Sequence, residues 1–67
     1  MQTKHFTLEN KATTVALEPI FWRLIDTLSD APGAWIAECI SDKPAAVTRA
    51  SWIRQRAVIG MLRNAEV

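Results

Sequence analysis

The chain is 67 residues long, 49% of them hydrophobic, and its formal net charge is only +1. This length fits one domain, and a monomer of this size buries only about 60% of its unfolded surface. The apolar content therefore favours a homodimer or a partner complex over a free monomer. The single cysteine, Cys39, excludes an internal disulfide, and the sequence has no cysteine–histidine spacing for zinc. Because neither a signal peptide nor an apolar run of about 18 residues is visible, we expect a cytoplasmic protein without membrane contact.

The small net charge conceals a segregation of sign along the chain. Residues 18–42 hold one arginine against five acidic residues, whereas residues 43–67 hold five basic residues against one glutamate. The basic part can neutralise the acidic part across the fold, or it can face an anionic partner. Composition leaves both alternatives open.

Two short segments near the N-terminus alternate in polarity. Residues 4–8 and residues 11–17 both show a period of two, with Val15 and Leu17 on the same side of the second segment. This period predicts two strands. Residues 9–10 between them predict a turn, since asparagine tolerates positive φ. We therefore expect a β-hairpin.

The period changes at Pro19, whose missing N–H costs nothing at the first position of a helix. An amphipathic helix is predicted over residues 19–29, because apolar side chains then recur at i, i+3, i+4 and i+7. Trp22 widens this apolar stripe, which indicates burial on a second side by a dimer mate. The recurring residues are Phe21, Leu24, Ile25 and Leu28.

This strand-to-helix junction resembles that of a family of ribbon-helix-helix proteins of the Arc/MetJ type. Residues 13–19 read TTVALEP and are followed by Phe21-Trp22 and Ile25, where members commonly read TSISLEP and then phenylalanine-tryptophan. The resemblance continues more loosely to residue 62. It implies a mostly helical α+β fold with an additional C-terminal helix. It also implies an intertwined homodimer whose paired strands enter the DNA major groove.

Two further helices are predicted. Pro32 suits the first turn of a helix over residues 32–41, and Pro44 prevents its continuation. The third helix is predicted over residues 46–63. Its apolar face consists of Val47, Ala50, Ile53, Ala57, Val58, Met61 and Leu62.

Arg54 falls inside the apolar face of the third helix, where a charge needs a partner or a route to water. We predict an ion pair between Arg54 and either Glu38 or Asp42. Trp52 and Ile59 are predicted on the solvent side of a monomer, which indicates a second buried contact.

The resemblance assigns DNA contact to the outward side chains of the second strand and to the N-terminus of the second helix. Thr14 can hydrogen-bond a base edge or touch a thymine methyl, whereas alanine offers only apolar contact to such a methyl. The predicted DNA-binding residues are Lys4, Lys11, Ala12, Thr14, Ala16, Gly33 and Ala34. The predicted dimer interface consists of Thr13, Val15, Leu17, Phe21, Trp22, Ile25, Trp52 and Ile59.

The sequence predicts no catalytic residues, no metal site and no cofactor, because it lacks phosphate loops, metal-ligand spacings and nucleophile–base pairs. The leading function is that of a dimeric DNA-binding protein, a transcriptional repressor that reads the major groove of double-stranded DNA. The alternative keeps the fold but makes it a protein-interaction module, either antitoxin-like or a phage-type inhibitor or adaptor, that docks through its C-terminal helix.

Overall fold

The computed structural model describes residues 1–65. In chain order the elements are β1 (Gln2–Leu8), β2 (Lys11–Leu17), α1 (Pro19–Leu28), α2 (Pro32–Ser41) and α3 (Arg49–Ala65). The strands form an antiparallel hairpin, and the helices pack against its inner face. The predicted α+β class and the order of elements are therefore confirmed. No helix in the described part of the chain combines the length and apolar character needed to cross a membrane.

A two-residue turn closes the hairpin. Leu8 pairs with Lys11, and between them Glu9 and Asn10 have φ angles of 51° and 64°. Positive φ at both central residues is the geometry of a type I′ turn, whose twist matches that of the flanking strands. The predicted turn at residues 9–10 is confirmed.

The two faces of β2 differ as the period of two predicts. Val15 and Leu17 are buried, whereas Ala12 and Thr14 are exposed. Successive side chains of a strand point to opposite faces, so the apolar set covers the core and the small set faces away from the helices. We call this second face of the hairpin the outward face.

β1 begins two residues earlier than the predicted strand 4–8. Gln2 pairs with Leu17, and the Trp22 indole N–H donates a hydrogen bond to the Gln2 carbonyl at 2.9 Å. This bond from α1 anchors the start of the strand, whose polar sequence gave no sign of order. The predicted start of the strand at residue 4 is wrong for this reason.

α3 begins later than predicted, at Arg49, and continues to Ala65. The Thr48 hydroxyl accepts a hydrogen bond from the Ser51 N–H at 3.2 Å and so caps the first turn. In the preceding loop the Lys43 ammonium donates to the Val47 carbonyl at 2.8 Å. These bonds hold the residues before Thr48 outside the helix.

The buried face of α3 is narrower than predicted. Ile53 and Ala57 are fully buried, but Val58 and Leu62, which were predicted on the same face, are 44% and 61% exposed. At Gly60 the helix approaches α1 so closely that an added Cβ would lie 2.9 Å from Leu28 Cδ1. Gly60 of α3 therefore faces α1, and the aliphatic side chains of Val58, Ile59 and Leu62 point outward.

One hydrophobic core joins the hairpin to all three helices. Ile25, Ile36 and Ile53 contribute one fully buried isoleucine from each helix. The buried set contains no polar or charged residue. Its members are Val15, Leu17, Trp22, Ile25, Ile36, Cys39, Ile53 and Ala57.

Candidate functional site

The outward face of the hairpin carries only small or uncharged side chains. Its cross-strand pairs are Thr3–Ala16, His5–Thr14 and Thr7–Ala12, with His5 and Thr14 at the centre. His5 Nδ1 lies 3.1 Å from Thr14 Oγ1, within hydrogen-bonding distance. This bond restricts the threonine side chain in the middle of the face, which presents hydroxyl groups, methyl groups and the His5 imidazole.

One edge of β2 has no partner strand within residues 1–65, because the sheet consists of β1 and β2 alone. Antiparallel pairs alternate between bonded and non-bonded pairs, and the turn makes Leu8–Lys11 a bonded one. Residues 12, 14 and 16 therefore direct their backbone N–H and C=O groups to the uncovered edge. Such an edge is a template for another strand.

The two predicted DNA-binding lysines do not share the face of Ala12, Thr14 and Ala16. Lys4 lies opposite Val15, on the side of the helices, and its ammonium is 4.9 Å from the centroid of the Trp22 ring. Lys11 is exposed at the end of the hairpin, where it lines a cleft of about 310 Å³ together with Arg49. The structure thus separates the predicted cations from the predicted base-contacting side chains.

Gly33 and Ala34, predicted to hold a DNA phosphate, lie in the first turn of α2 beside the inner side of β1. An added Cβ at Gly33 would be 3.5 Å from the Phe6 ring. No side chain caps this helix, and the nearby Ser29 hydroxyl accepts a hydrogen bond from the Ala31 N–H at 3.1 Å. Because this is an ordinary van der Waals distance, packing on Phe6 would also admit an alanine at this position.

The predicted dimer-interface residues fall into three exposure groups. Four of them are already covered by their own chain: Val15, Leu17, Trp22 and Ile25. Thr13, Phe21 and Trp52 are half-buried. Ile59 is the one of the eight classed as exposed, at 41%. Burial of Trp22 thus needs no dimer mate, because the hairpin and the helices of one chain cover it.

Arg54 pairs with Glu18 and not with the predicted Glu38 or Asp42. Its Nε and Nη2 atoms lie 2.9 Å and 2.8 Å from Glu18 Oε1, and its guanidinium is 5.9 Å from the Phe21 ring centroid. The prediction of the partner is wrong because Arg54 projects toward the start of α1, while both predicted partners belong to the end of α2.

The surroundings of Glu18 favour its charged form. Hydrogen bonds from its own backbone N–H and then from Arg54 hold the pKa of this carboxyl below its ordinary value of 4.5. Both side chains keep contact with water, at 29% exposure for Arg54 and 44% for Glu18. Since solvent screens such a pair, it orients α3 against α1 more than it stabilises the fold.

Trp52 packs against α2, contrary to the predicted position on the solvent side. Its indole N–H donates a hydrogen bond to the Cys39 carbonyl at 2.8 Å, and the Arg56 guanidinium lies 6.0 Å from its ring centroid. Burial raises the pKa of the Cys39 thiol, which is therefore neutral inside the core. Within residues 1–65 no three potential metal ligands come together.

Sequence reasoning missed a surface groove between α1 and α3. Its lining includes Phe21, Val58 and Ile59. All three side chains were predicted to face the core or a dimer mate. The small residues Ala57 and Gly60, spaced by three on α3, were the signal that could have placed the inner face correctly.

Comparisons with protein-family models, with curated proteins and with solved structures find no match to this chain. The resemblance to ribbon-helix-helix proteins therefore depends on the strand-to-helix junction at residues 13–25. It stays a prediction, as do the dimer and its contact with DNA.

Proposed function

We propose that the protein is a DNA-binding homodimer of the ribbon-helix-helix type that acts as a transcriptional repressor. The uncovered edge of β2, next to an outward face without charged side chains, is the observation that carries this proposal. Two copies joined at this edge in antiparallel orientation satisfy the free backbone groups of both strands. The result is a four-stranded sheet in the order β1–β2–β2–β1.

The width of this sheet allows its central and outer strands to contact different parts of the DNA. Adjacent strands are about 4.8 Å apart, so the central pair enters a major groove about 12 Å wide. The two outer strands are then about 14 Å apart and lie over the walls of the groove. There Thr3, His5 and Thr7 of each β1 provide hydroxyl and ring N–H donors to phosphates.

Base contacts by the central strands are apolar. Ala12, Thr14 and Ala16 present methyl groups, and Thr14 adds one hydroxyl. Thymine is the base with a methyl group in the major groove, so such a surface favours A·T pairs. Without arginine, asparagine or glutamine on this face, the dimer lacks bidentate readout, and we expect modest sequence preference.

A salt titration of binding to a fluorescent random duplex tests the proposal. With one exposed Lys11 per chain and Lys4 held over Trp22, we expect about two to four counterions to be released, hence a slope of about −2 to −4 for log K against log salt. Lys11→Gln should weaken binding and flatten the slope. Arg23→Gln removes the same charge from the exposed side of α1 and should change neither. Absence of binding at about 50 mM salt contradicts the proposal.

Contacts to thymine methyl groups are tested by replacing thymidine with deoxyuridine in the genomic fragment that the protein binds best. Each lost methyl contact should weaken binding about fourfold, corresponding to about 0.8 kcal/mol. Thr14→Ala should reduce the preference for that fragment and leave the thermal melt nearly unchanged. Equal affinity for the thymine and uracil duplexes contradicts methyl readout.

A further inference from the structure

The groove between α1 and α3 is apolar at its base and polar at its rim. Phe21 on α1 and Val58 and Ile59 on α3 provide the apolar surface, and Arg54 and Gln55 stand beside them. The groove is a shallow depression of about 370 Å³ that is wide open to solvent. This volume accommodates one or two large aliphatic or aromatic side chains of another molecule.

The apolar surface continues along α3 beyond the groove. Val58, Ile59 and Leu62 are 44%, 41% and 61% exposed, and residues 58 and 62 are neighbours on the helix because they are four apart. A single exposed aliphatic side chain needs no explanation. Three of them next to an apolar groove form a contiguous patch, which is typical of an interaction surface.

Arginines border this patch, and no carboxylate does so from α3. Residues 49–65 contain four arginines and no acidic residue. At helical spacing, Arg54 lies on one side of the patch, while Arg56 and Arg63 lie on the other. Within residues 1–65, Arg54 is the one arginine with an ion pair. The rim therefore carries three arginines, and neither Arg56 nor Arg63 pairs with a carboxylate of residues 1–65.

These observations decide between possible occupants. A symmetric contact with a second copy through α3 would oppose arginine to arginine, which is unfavourable. A bilayer surface presents no discrete side chains at fixed spacing that could lie between Phe21 and Ile59. An amphipathic helix inserts apolar side chains spaced by three or four into such a groove, and acidic residues beside them complement the arginines.

We infer that the α1–α3 groove docks an acidic amphipathic helix of a partner protein. The helix places an aliphatic or aromatic residue between Phe21 and Ile59, and its carboxylates lie against Arg63, since the Arg56 guanidinium already packs on Trp52. Because the groove belongs to the helices and the proposed DNA contact belongs to the outward face of the hairpin, the two surfaces are occupied independently. Loss of DNA binding thus leaves this docking site intact.

A phage-displayed library of helical 18-residue peptides with eight randomised positions, selected on the full chain, tests the inference. Enriched peptides should carry apolar residues at i, i+3 or i+4, and i+7, flanked by aspartate or glutamate. The best peptide, synthesised with a fluorescent label, is then titrated in solution. No enrichment, or enrichment of peptides without net negative charge, overturns the inference.

Variants of the groove locate the binding. Ile59→Asp and, independently, Leu62→Asp should each weaken the selected peptide at least tenfold, and Arg63→Glu at least fivefold. Arg49→Glu makes the same charge change about 15 Å from Ile59 along the helix and should weaken it less than twofold. Equal effects of Arg63→Glu and Arg49→Glu overturn the inference.

Two controls separate docking from folding and from self-association. Each variant should keep the buried Cys39 thiol protected from an aromatic disulfide reagent, as expected for an intact core. If Ile59→Asp unfolds the protein, Leu62→Asp still tests the groove, since Leu62 is the more exposed of the two side chains. If Ile59→Asp and Leu62→Asp instead lower the sedimentation mass of the protein alone, a second copy occupies the groove and the inference is wrong.

Discussion

A charged residue within an apolar helix face is accommodated here by a single ion pair at the edge of the core. The Arg54 side chain crosses the Phe21 ring, and its guanidinium reaches Glu18 at the junction of β2 and α1. The aliphatic stem covers apolar surface while the charged end stays in contact with water. Arg54 therefore links the middle of α3 to the start of α1 without a buried charge.

The low pKa of Glu18 makes stability depend on pH. Its folded pKa lies below the ordinary 4.5, so its contribution to stability is present above the unfolded pKa and is lost as pH falls through the folded pKa. We expect the urea midpoint of the wild-type protein to fall between about pH 6 and about pH 3. In Glu18→Gln, this fall should be smaller.

The variant Arg54→Leu distinguishes the two causes of the low pKa. The backbone N–H of Glu18 is the larger cause and remains in this variant, so only part of the pH dependence should disappear. Identical pH profiles for wild-type protein and Glu18→Gln would show that this carboxyl has the same pKa in both states.

The sequence predicted that Arg54 needs a partner but not which one. The need follows from its place among apolar residues at helical spacing. The partner's identity depends on which helix lies beside that side of α3, and this is decided by close packing at Gly60 and Leu28. Such packing involves residues 32 positions apart and leaves no periodic signal in the chain.

At the scale of elements, the hairpin turn requires a backbone conformation that its first central residue, Glu9, does not favour. Glu9 has a φ of 51°, and the left-handed region costs a residue with a β-carbon about 1–2 kcal/mol. The type I′ turn favours asparagine followed by glycine. The double variant Glu9→Asn, Asn10→Gly should therefore be more stable by about 1 kcal/mol, or by about 4–8 °C in Tm.

Thermal melts at one fixed protein concentration measure this change, since Tm of an associating protein depends on concentration. Asn10→Val provides the opposite control, because a β-branched residue at positive φ is strained. It should lower Tm. A double variant that melts no higher than the wild-type protein contradicts the assignment of the turn.

Element bounds were predictable where proline sets them. The predicted helix 32–41 coincides with α2, and Pro19 marks the start of α1. Predicted bounds were wrong where hydrogen bonds between distant or loop residues set the end of an element. The start of β1, which bonds to Trp22, and the start of α3 after Thr48 are the two cases. A bond between Trp22 and Gln2 spans 20 residues, so local patterns do not report it.

At the scale of the molecule, one chain covers its own core, while within residues 1–65 the β2 edge has no partner strand and the outer face of α3 is exposed. All eight buried residues are covered within the chain, including four that were predicted to need a dimer mate. The β2 edge and the outer face of α3 remain, and both belong to elements whose opposite sides are buried. The sequence predicted an association surface, but α3 turned out to cover part of the core that a second chain was expected to cover.

The face on which each β2 residue of the candidate site lies could be predicted from the sequence, whereas the surroundings of Lys4 could not. The period of two placed Thr14 outward correctly, because burial of Val15 and Leu17 leaves no other choice. Lys4, which was predicted as a DNA contact, lies on the face opposite to that of Thr14. The hairpin register pairs Lys4 with Val15 and directs the lysine toward Trp22.

The proposed dimer forms through the uncovered β2 edge, and sedimentation of two proline variants tests this association most directly. Thr14→Pro removes a backbone N–H that points to this edge. His5→Pro is the control, because it removes the matching N–H on the outer edge of β1. Neither N–H forms a hydrogen bond within the hairpin. At about 100 µM we predict twice the mass of one chain for the wild-type protein and for His5→Pro. Thr14→Pro should be a monomer with Cys39 still protected. A wild-type monomer, or a Thr14→Pro dimer as stable as the wild type, contradicts the account.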